Sequence, residues 1–245
     1  MSLVRDLRVA LSFLSRLSPA RTETPEVMAR SLRAYPLAGL VIGLAATVPV
    51  WLGLLHGRPL PQGIAVVILS AVLTRGLHWD GLMDLADAWG SGARGERFFA
   101  IMKDSRVGAF GVLGCVAAFA TQSALLAEVL AENAFGVAVF GFVLGRFAAV
   151  ALAWRGKALA RPGLGALALS GATPGALWFA GLCTLAAGLV LCPAPALFAG
   201  IALAAVCTAG LYALARVQGA LNGDFLGAAI ILSETALWLG YCLTT

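Results

Sequence analysis

The residues best suited to chemistry gather in one stretch, His78-Trp79-Asp80-Gly81-Leu82-Met83-Asp84-Leu85-Ala86-Asp87. Asp80, Asp84 and Asp87 stand at i, i+4 and i+7, a spacing that puts all three on one face of a helix. Carboxylates so close repel one another and resist ionisation, the more so beside a bilayer. A hard divalent cation relieves that repulsion, and oxygen-only ligation suits Mg²⁺ where phosphates are handled. The three are read as metal ligands and catalytic residues, with Mg²⁺ the expected cofactor; the bland alternative is a solvated acidic face at the membrane surface. His78 is a candidate ligand or general base, or simply a residue that starts the helix. Zinc is not expected, because no second histidine lies nearby and no cysteines pair at ligand spacing.

Downstream runs Met102-Lys103-Asp104-Ser105-Arg106-Val107-Gly108. Lys103 and Arg106 offer cationic donors, Ser105 a hydroxyl, and Asp104 joins the catalytic candidates. The run opens a helix, whose first amides attract anions. Cations beside a carboxylate-held metal are the equipment of phosphoryl transfer, in which positioning and charge neutralisation do most of the work. The competing role for Lys103 and Arg106 is topological anchoring by cytoplasmic cations. Asp224, in Asn222-Gly223-Asp224, either caps the last helix or enters the site. Arg146 and Glu234 lie inside apolar runs, where ionisable groups are costly and usually functional. Arg146 is read as reaching an anionic substrate, with snorkelling as its alternative.

These groups need a scaffold, and composition dictates its solvent. Of 245 residues, 60% are apolar and 12% charged, with 12 acids against 17 Lys and Arg. That is too little charge to cover a water-soluble globule and too much apolar residue for a disordered chain. Residues 162–215 contain no charged side chain. Lipid must solvate most of the surface, and long unbroken apolar runs favour helices over a barrel. The expected fold is an all-α polytopic bundle in a single domain, with crossings at 34–55, 60–77, 108–131, 134–154, 175–192, 195–214 and 225–243. The polar stretch 78–107 is its active-site segment. Near the start, Leu3, Leu7, Ala10, Leu11 and Leu14 form an apolar stripe, which predicts an amphipathic helix lying in the interface or packed on the bundle.

Fifteen of the seventeen cations fall on alternate loops, Arg58 falls on the other side, and Arg146 lies within a crossing. The N-terminus and the 78–107 segment are therefore expected in the cytoplasm, with the chain in the inner membrane. Cations dispersed between apolar runs are not a nucleic-acid footprint. The five cysteines are isolated in apolar stretches and read as small core residues. Oligomeric state is left open, a homo-oligomer included.

Two segments, Gly76-Leu77-His78-Trp79-Asp80-Gly81-Leu82-Met83-Asp84-Leu85-Ala86-Asp87 and Ile101-Met102-Lys103-Asp104-Ser105-Arg106-Val107-Gly108, closely resemble the cobalamin synthase (adenosylcobinamide-GDP ribazoletransferase) family. Phe13-Leu14-Ser15-Arg16-Leu17, Tyr35-Pro36-Leu37-Ala38-Gly39 and Gly223-Asp224-Phe225-Leu226-Gly227-Ala228 extend the resemblance along the chain. The chain departs from the family's usual pattern at Ala88, where the family usually has Gly, and in Gly219-Ala220-Leu221-Asn222-Gly223-Asp224, where it usually has Gly-Gly-x-Thr-Gly-Asp. The resemblance implies an Mg²⁺-dependent inner-membrane enzyme completing the nucleotide loop of adenosylcobalamin. It would join adenosylcobinamide-GDP to α-ribazole or its 5′-phosphate and release GMP. Asp80, Asp84 and Asp87 would hold Mg²⁺ on the pyrophosphate, with Lys103, Arg106 and Arg146 balancing charge. The ribazole 3′-hydroxyl would attack, and His78 or an aspartate would take its proton. A CDP-alcohol phosphatidyltransferase is the nearest rival, but its Ala-Arg after the first Asp-Gly is absent here. A transporter with Arg146 and Glu234 as midplane sites leaves the crowding of charge in one stretch unexplained.

Overall fold

The computed structural model describes residues 2–19 and 23–245. Arg21, one of the cations counted above, lies outside the described residues. Bilayer solvent demands internally paired backbone, and the described residues form helices with one isolated bridge, Ala160 to Leu221, and no strand. In chain order these are α1 (Leu3–Leu14), α2 (Pro25–Ser31), α3 (Tyr35–Trp51), α4 (Pro59–Leu73), α5 (Leu77–Gly90), α6 (Glu96–Met102), α7 (Ala109–Ala131), α8 (Phe135–Arg155), α9 (Leu164–Ser170), α10 (Pro174–Leu191), α11 (Ala194–Gln218) and α12 (Gly223–Cys242).

Among the described residues, six helical segments are long and apolar enough to cross a membrane. They coincide with the predicted crossings except the second, and α2 runs on into α3 as one span. The second was expected over 60–77, but α4 stops at Leu73, and Arg75 and Gly76 adopt positive φ, 56° and 69°. At that turn the chain bends by 94° into α5. The left-handed conformation suits Gly76, which has no Cβ to clash. Arg75 is held there because its Nη2 donates to the Ser12 and Ser15 carbonyls at 3.0 Å, at the C-terminus of α1. The sharp bend redirects the acidic helix away from the α4 axis and against α7 and α12.

α8 and α12 form the buried centre, each 78% enclosed over its apolar window, while α7, α10 and α11 are only 22% enclosed. Trp178, Val190, Phe198 and Val206 project outward from α10 and α11, an arrangement that suits lipid and not water. α12 packs against α5, α7, α8 and α11. α1 is part of the bundle: Val9, Ala10 and Leu14 are buried, and Asp6, fully enclosed, accepts from Arg30 Nε at 2.9 Å and Arg33 Nε at 2.8 Å. The apolar stripe read from sequence is therefore rotated, since Leu3 is exposed and Val9 is not. All five cysteines are free, but only Cys192 is buried in the core; Cys115, Cys183, Cys207 and Cys242 are half-buried.

Candidate active site

α5 carries Asp80, Asp84 and Asp87 on one continuous helix, and α12 delivers a fourth acid to them. The approach depends on Gly81: a Cβ there would lie 2.9 Å from the Asp224 Cα and 3.0 Å from its carbonyl oxygen. Glycine alone lets α12 begin against α5 this closely. Burial, together with the charges of Asp80, Asp224 and Asp87, pushes the Asp84 carboxyl up to about 7. No hydrogen-bond donor reaches Asp84 among the described residues. The four acids thus share one field, with Asp84 at its centre.

They do not share one role. Asp87 spends a carboxylate oxygen on each of two amides at the start of α7: Oδ2 accepts from Gly108 N at 2.8 Å and Oδ1 from Gly111 N at 2.7 Å. The helix N-terminus expected to attract a substrate anion is already capped by this carboxylate. Among the described residues, no group of three or more His, Cys, Asp or Glu side chains converges tightly enough to hold an ion alone. Mg²⁺ does not need such a cage; it keeps several waters and takes one or two carboxylates together with substrate phosphates. Asp80, Asp84 and Asp224 fit that pattern, and Asp87 supports the frame.

The 103–106 loop divides similarly. Asp104 and Arg106 grip each other in the open, with Arg106 Nε 3.0 Å and Nη2 2.7 Å from the Asp104 oxygens. This holds the Asp104 carboxyl down at about 2, so it is a poor proton acceptor. Ser105 is exposed. Lys103 instead lines a cavity of about 370 Å³ shared with His78, Arg161, Asn222 and Asp224, whose apolar wall includes Phe13, Tyr35 and Leu226. On the other side of Phe13 and Leu77, Asp80 lines a separate groove with Arg75.

Arg161, which no motif in the sequence singles out, organises the cavity rim. Its Nη1 and Nη2 donate to Glu96 at 2.8 and 2.7 Å, and its guanidinium stacks 4.3 Å from the Phe99 ring. Its backbone N donates to Leu221 O at 2.9 Å, and Leu221 N donates to Leu159 O at 2.7 Å. These bonds strap the 157–163 loop to the 219–223 loop that presents Asn222 and Asp224. Gln218 Oε1 accepts from Gly95 N at 3.0 Å, tying the same corner to α6. Pairings across 65 and 123 residues leave no periodic trace in a sequence.

Arg146 is not at the mouth of the site. It is fully buried and ion-paired with Glu234, whose other oxygen faces Gln122 Nε2 at 3.5 Å. Ala149 and Ile230, one turn nearer the cavity, line its wall, so the pair lies beneath the floor. The structure therefore brings His78, Lys103 and Asp224 to one cavity, sets Asp80 in the neighbouring groove, and leaves Asp84 in the field of Asp80, Asp224 and Asp87. It sets Asp104, Arg106 and Arg146 in pairs of their own.

A family model described as cobalamin-5-phosphate synthase matches residues 6–242. An adenosylcobinamide-GDP ribazoletransferase of Nitratidesulfovibrio vulgaris strain Miyazaki F is 46% identical over 98% of this chain and 95% of its own. Proteins of the same name are similar at 39% in Syntrophobacter fumaroxidans, over 93% of this chain and 94% of its own, and at 32% in Prosthecochloris aestuarii, over 95% of each. No solved structure matches the chain.

Proposed function

Since the chain belongs to the cobalamin-5-phosphate synthase family, we propose that it is an adenosylcobinamide-GDP ribazoletransferase whose four-acid edge receives the diphosphate of the donor. The observation that carries this reading is the close approach of α12 to α5 at Gly81, which sets Asp224 beside the Asp80, Asp84 and Asp87 face and leaves the half-buried Asp84 carboxyl raised by burial and by its acidic neighbours. A fold keeps such mutual repulsion only where a positive partner offsets it in the working state. Asp80 and Asp84, with Asp224 close by, would hold Mg²⁺, which when bound would supply that charge and polarise the phosphoryl oxygens. Lys103, at the cavity rim, adds a mobile cation.

The reaction is a displacement at phosphorus. The acceptor's ribose hydroxyl forms a P–O bond at the cobinamide-bearing phosphorus. The phosphoanhydride bond breaks, GMP departs with the bonding electron pair, and the hydroxyl proton passes to a carboxylate of the cluster. Asp224 bounds both the acidic edge and the cavity, and Gly81 fixes its distance from α5. This is the pre-positioning on which such transfers depend.

The site lies at the cation-rich end of the bundle, where Arg30, Arg33, Arg75, Arg94, Arg97, Arg155 and Arg216 also sit. The opposite end holds Arg58 with Glu128 and Glu132. The positive-inside asymmetry supports an inner-membrane protein whose site opens to the cytoplasm. Purified protein mixed with adenosylcobinamide-GDP, α-ribazole and Mg²⁺ should release GMP stoichiometrically with the cobalamin product. No GMP from a folded, membrane-inserted preparation would overturn the reading.

A further inference from the structure

The cavity beside the acidic edge is built for a ligand of its own. It is bounded by α1, α3, α5, α8, α9 and α12, and its volume of about 370 Å³ is in the lower range for small-molecule sites. A corrinoid is far too large for it. The wall contributed by Phe13, Leu14, Tyr35, Leu226 and Ile230 is apolar. Against that wall stands His78, 97% enclosed, whose Nε2 has no hydrogen-bond partner. The Asn222 Oδ1 is likewise buried and unmatched. Buried polar atoms without partners are uncommon and costly, and here two of them belong to residues lining one cavity.

We propose that this cavity is the acceptor subsite, taking a nucleoside with a flat apolar base: the base lies on the Phe13, Tyr35 and Leu226 wall, the ribose hydroxyls meet His78 and Asn222, and a 5′-phosphate, when present, meets Lys103. The assignment rests on the ribazoletransferase reading above and adds to it the place and polarity of the second substrate. Asp224 bounds the same cavity and joins the acidic cluster, so a hydroxyl at that end is presented to the donor phosphorus without crossing the bilayer. The apolar wall selects against guanine, whose edge needs several polar partners. Guanosine therefore belongs outside the cavity. Lys103 forms no ion pair among the described residues, unlike Arg106, and is free to bind a phosphate.

The test uses the full chain in nanodiscs. α-Ribazole is titrated without donor or metal, following the fluorescence of its base, and donor binding with Mg²⁺ is followed by corrinoid absorbance. Wild type should bind α-ribazole saturably, and GMP should not displace it. Ala149→Leu and Ala168→Leu, which put bulk into the wall, should each weaken α-ribazole at least tenfold while donor affinity stays within twofold, which also reports the fold. Lys103→Gln should weaken α-ribazole 5′-phosphate about tenfold, and α-ribazole less. Displacement by GMP, unchanged acceptor affinity in both filled variants, or a wild type that releases GMP yet binds no acceptor alone would each overturn the subsite. A wild type that neither binds donor nor releases GMP would instead overturn the function itself.

Discussion

Asp87→Asn and Asp84→Asn, three residues apart on α5, should behave in opposite ways. Asp87 accepts two backbone N–H bonds, at 2.8 and 2.7 Å, that close the start of α7. Bonds to an ionised acceptor contribute about 1.5–3 kcal/mol each. Asparagine can keep one through its oxygen, but its NH2 then faces the second N–H. Relief of repulsion with Asp84 offsets part of the loss, leaving a net destabilisation of about 2 kcal/mol and a Tm lower by about 5 °C for a chain of this size. Asp84 accepts no such bond, and its carboxyl is held at about 7 by burial and by three neighbouring acids. Above pH 7 its ionised form therefore costs stability, and an amide removes that cost. Asp84→Asn should unfold at the wild-type temperature or above it and yet release no GMP. Thermal unfolding of the purified variants in detergent at pH 8, paired with a GMP assay, measures both. An Asp87→Asn protein as stable as wild type, or an Asp84→Asn protein less stable than it, would refute the division of labour between these two carboxylates.

Gly81→Ala should lower kcat by ten- to a hundredfold, because a Cβ 2.9 Å from the Asp224 Cα pushes α12 off α5 and displacements of about 1 Å at a transfer site cost that much; steady-state kinetics decide it. Mg²⁺ affinity should fall about tenfold from pH 8 to pH 6, because Asp84, at about 7 in the free protein, must lose its proton to bind the ion; calorimetric titration across that range would show it, and a flat profile would count against Asp84 as a ligand. Glu234→Ala should destabilise the protein by about 3–5 kcal/mol by leaving Arg146 buried without its partner. Glu234→Gln, which keeps a hydrogen-bonding group, should cost less, and thermal unfolding compares them.

Much of this fold is written in composition, since uncharged stretches of 20 residues in lipid admit few alternatives, and the crossings from α7 onward fall within a few residues of their apolar limits. The acidic face on α5 follows from its i, i+4, i+7 spacing. What spacing does not reveal is which oxygens are already taken. Asp80, Asp84 and Asp87 look equivalent along the chain, and only the crossing of α5 and α7 shows Asp87 tied to Gly108 and Gly111. The bend after Leu73 was missed because the crossing was carried past the apolar run to reach spanning length, through Thr74, Arg75 and Gly76, where the cation and the glycine mark a positive-φ turn. Arg146 looked like a substrate contact because its partner Glu234 lies 88 residues away. Arg161 was overlooked because its value comes from Glu96, Phe99 and Leu221, distant in sequence.

A divalent ion held by Asp80 and Asp84 would contact the donor's diphosphate, and pulsed electron–nuclear double resonance with Mn²⁺ in place of Mg²⁺ tests this directly. With adenosylcobinamide-GDP bound, the wild-type protein should show ³¹P coupling to the bound Mn²⁺, and Asp84→Asn should lose it. A wild-type spectrum without phosphorus coupling, or one that Asp84→Asn leaves intact, would contradict the account.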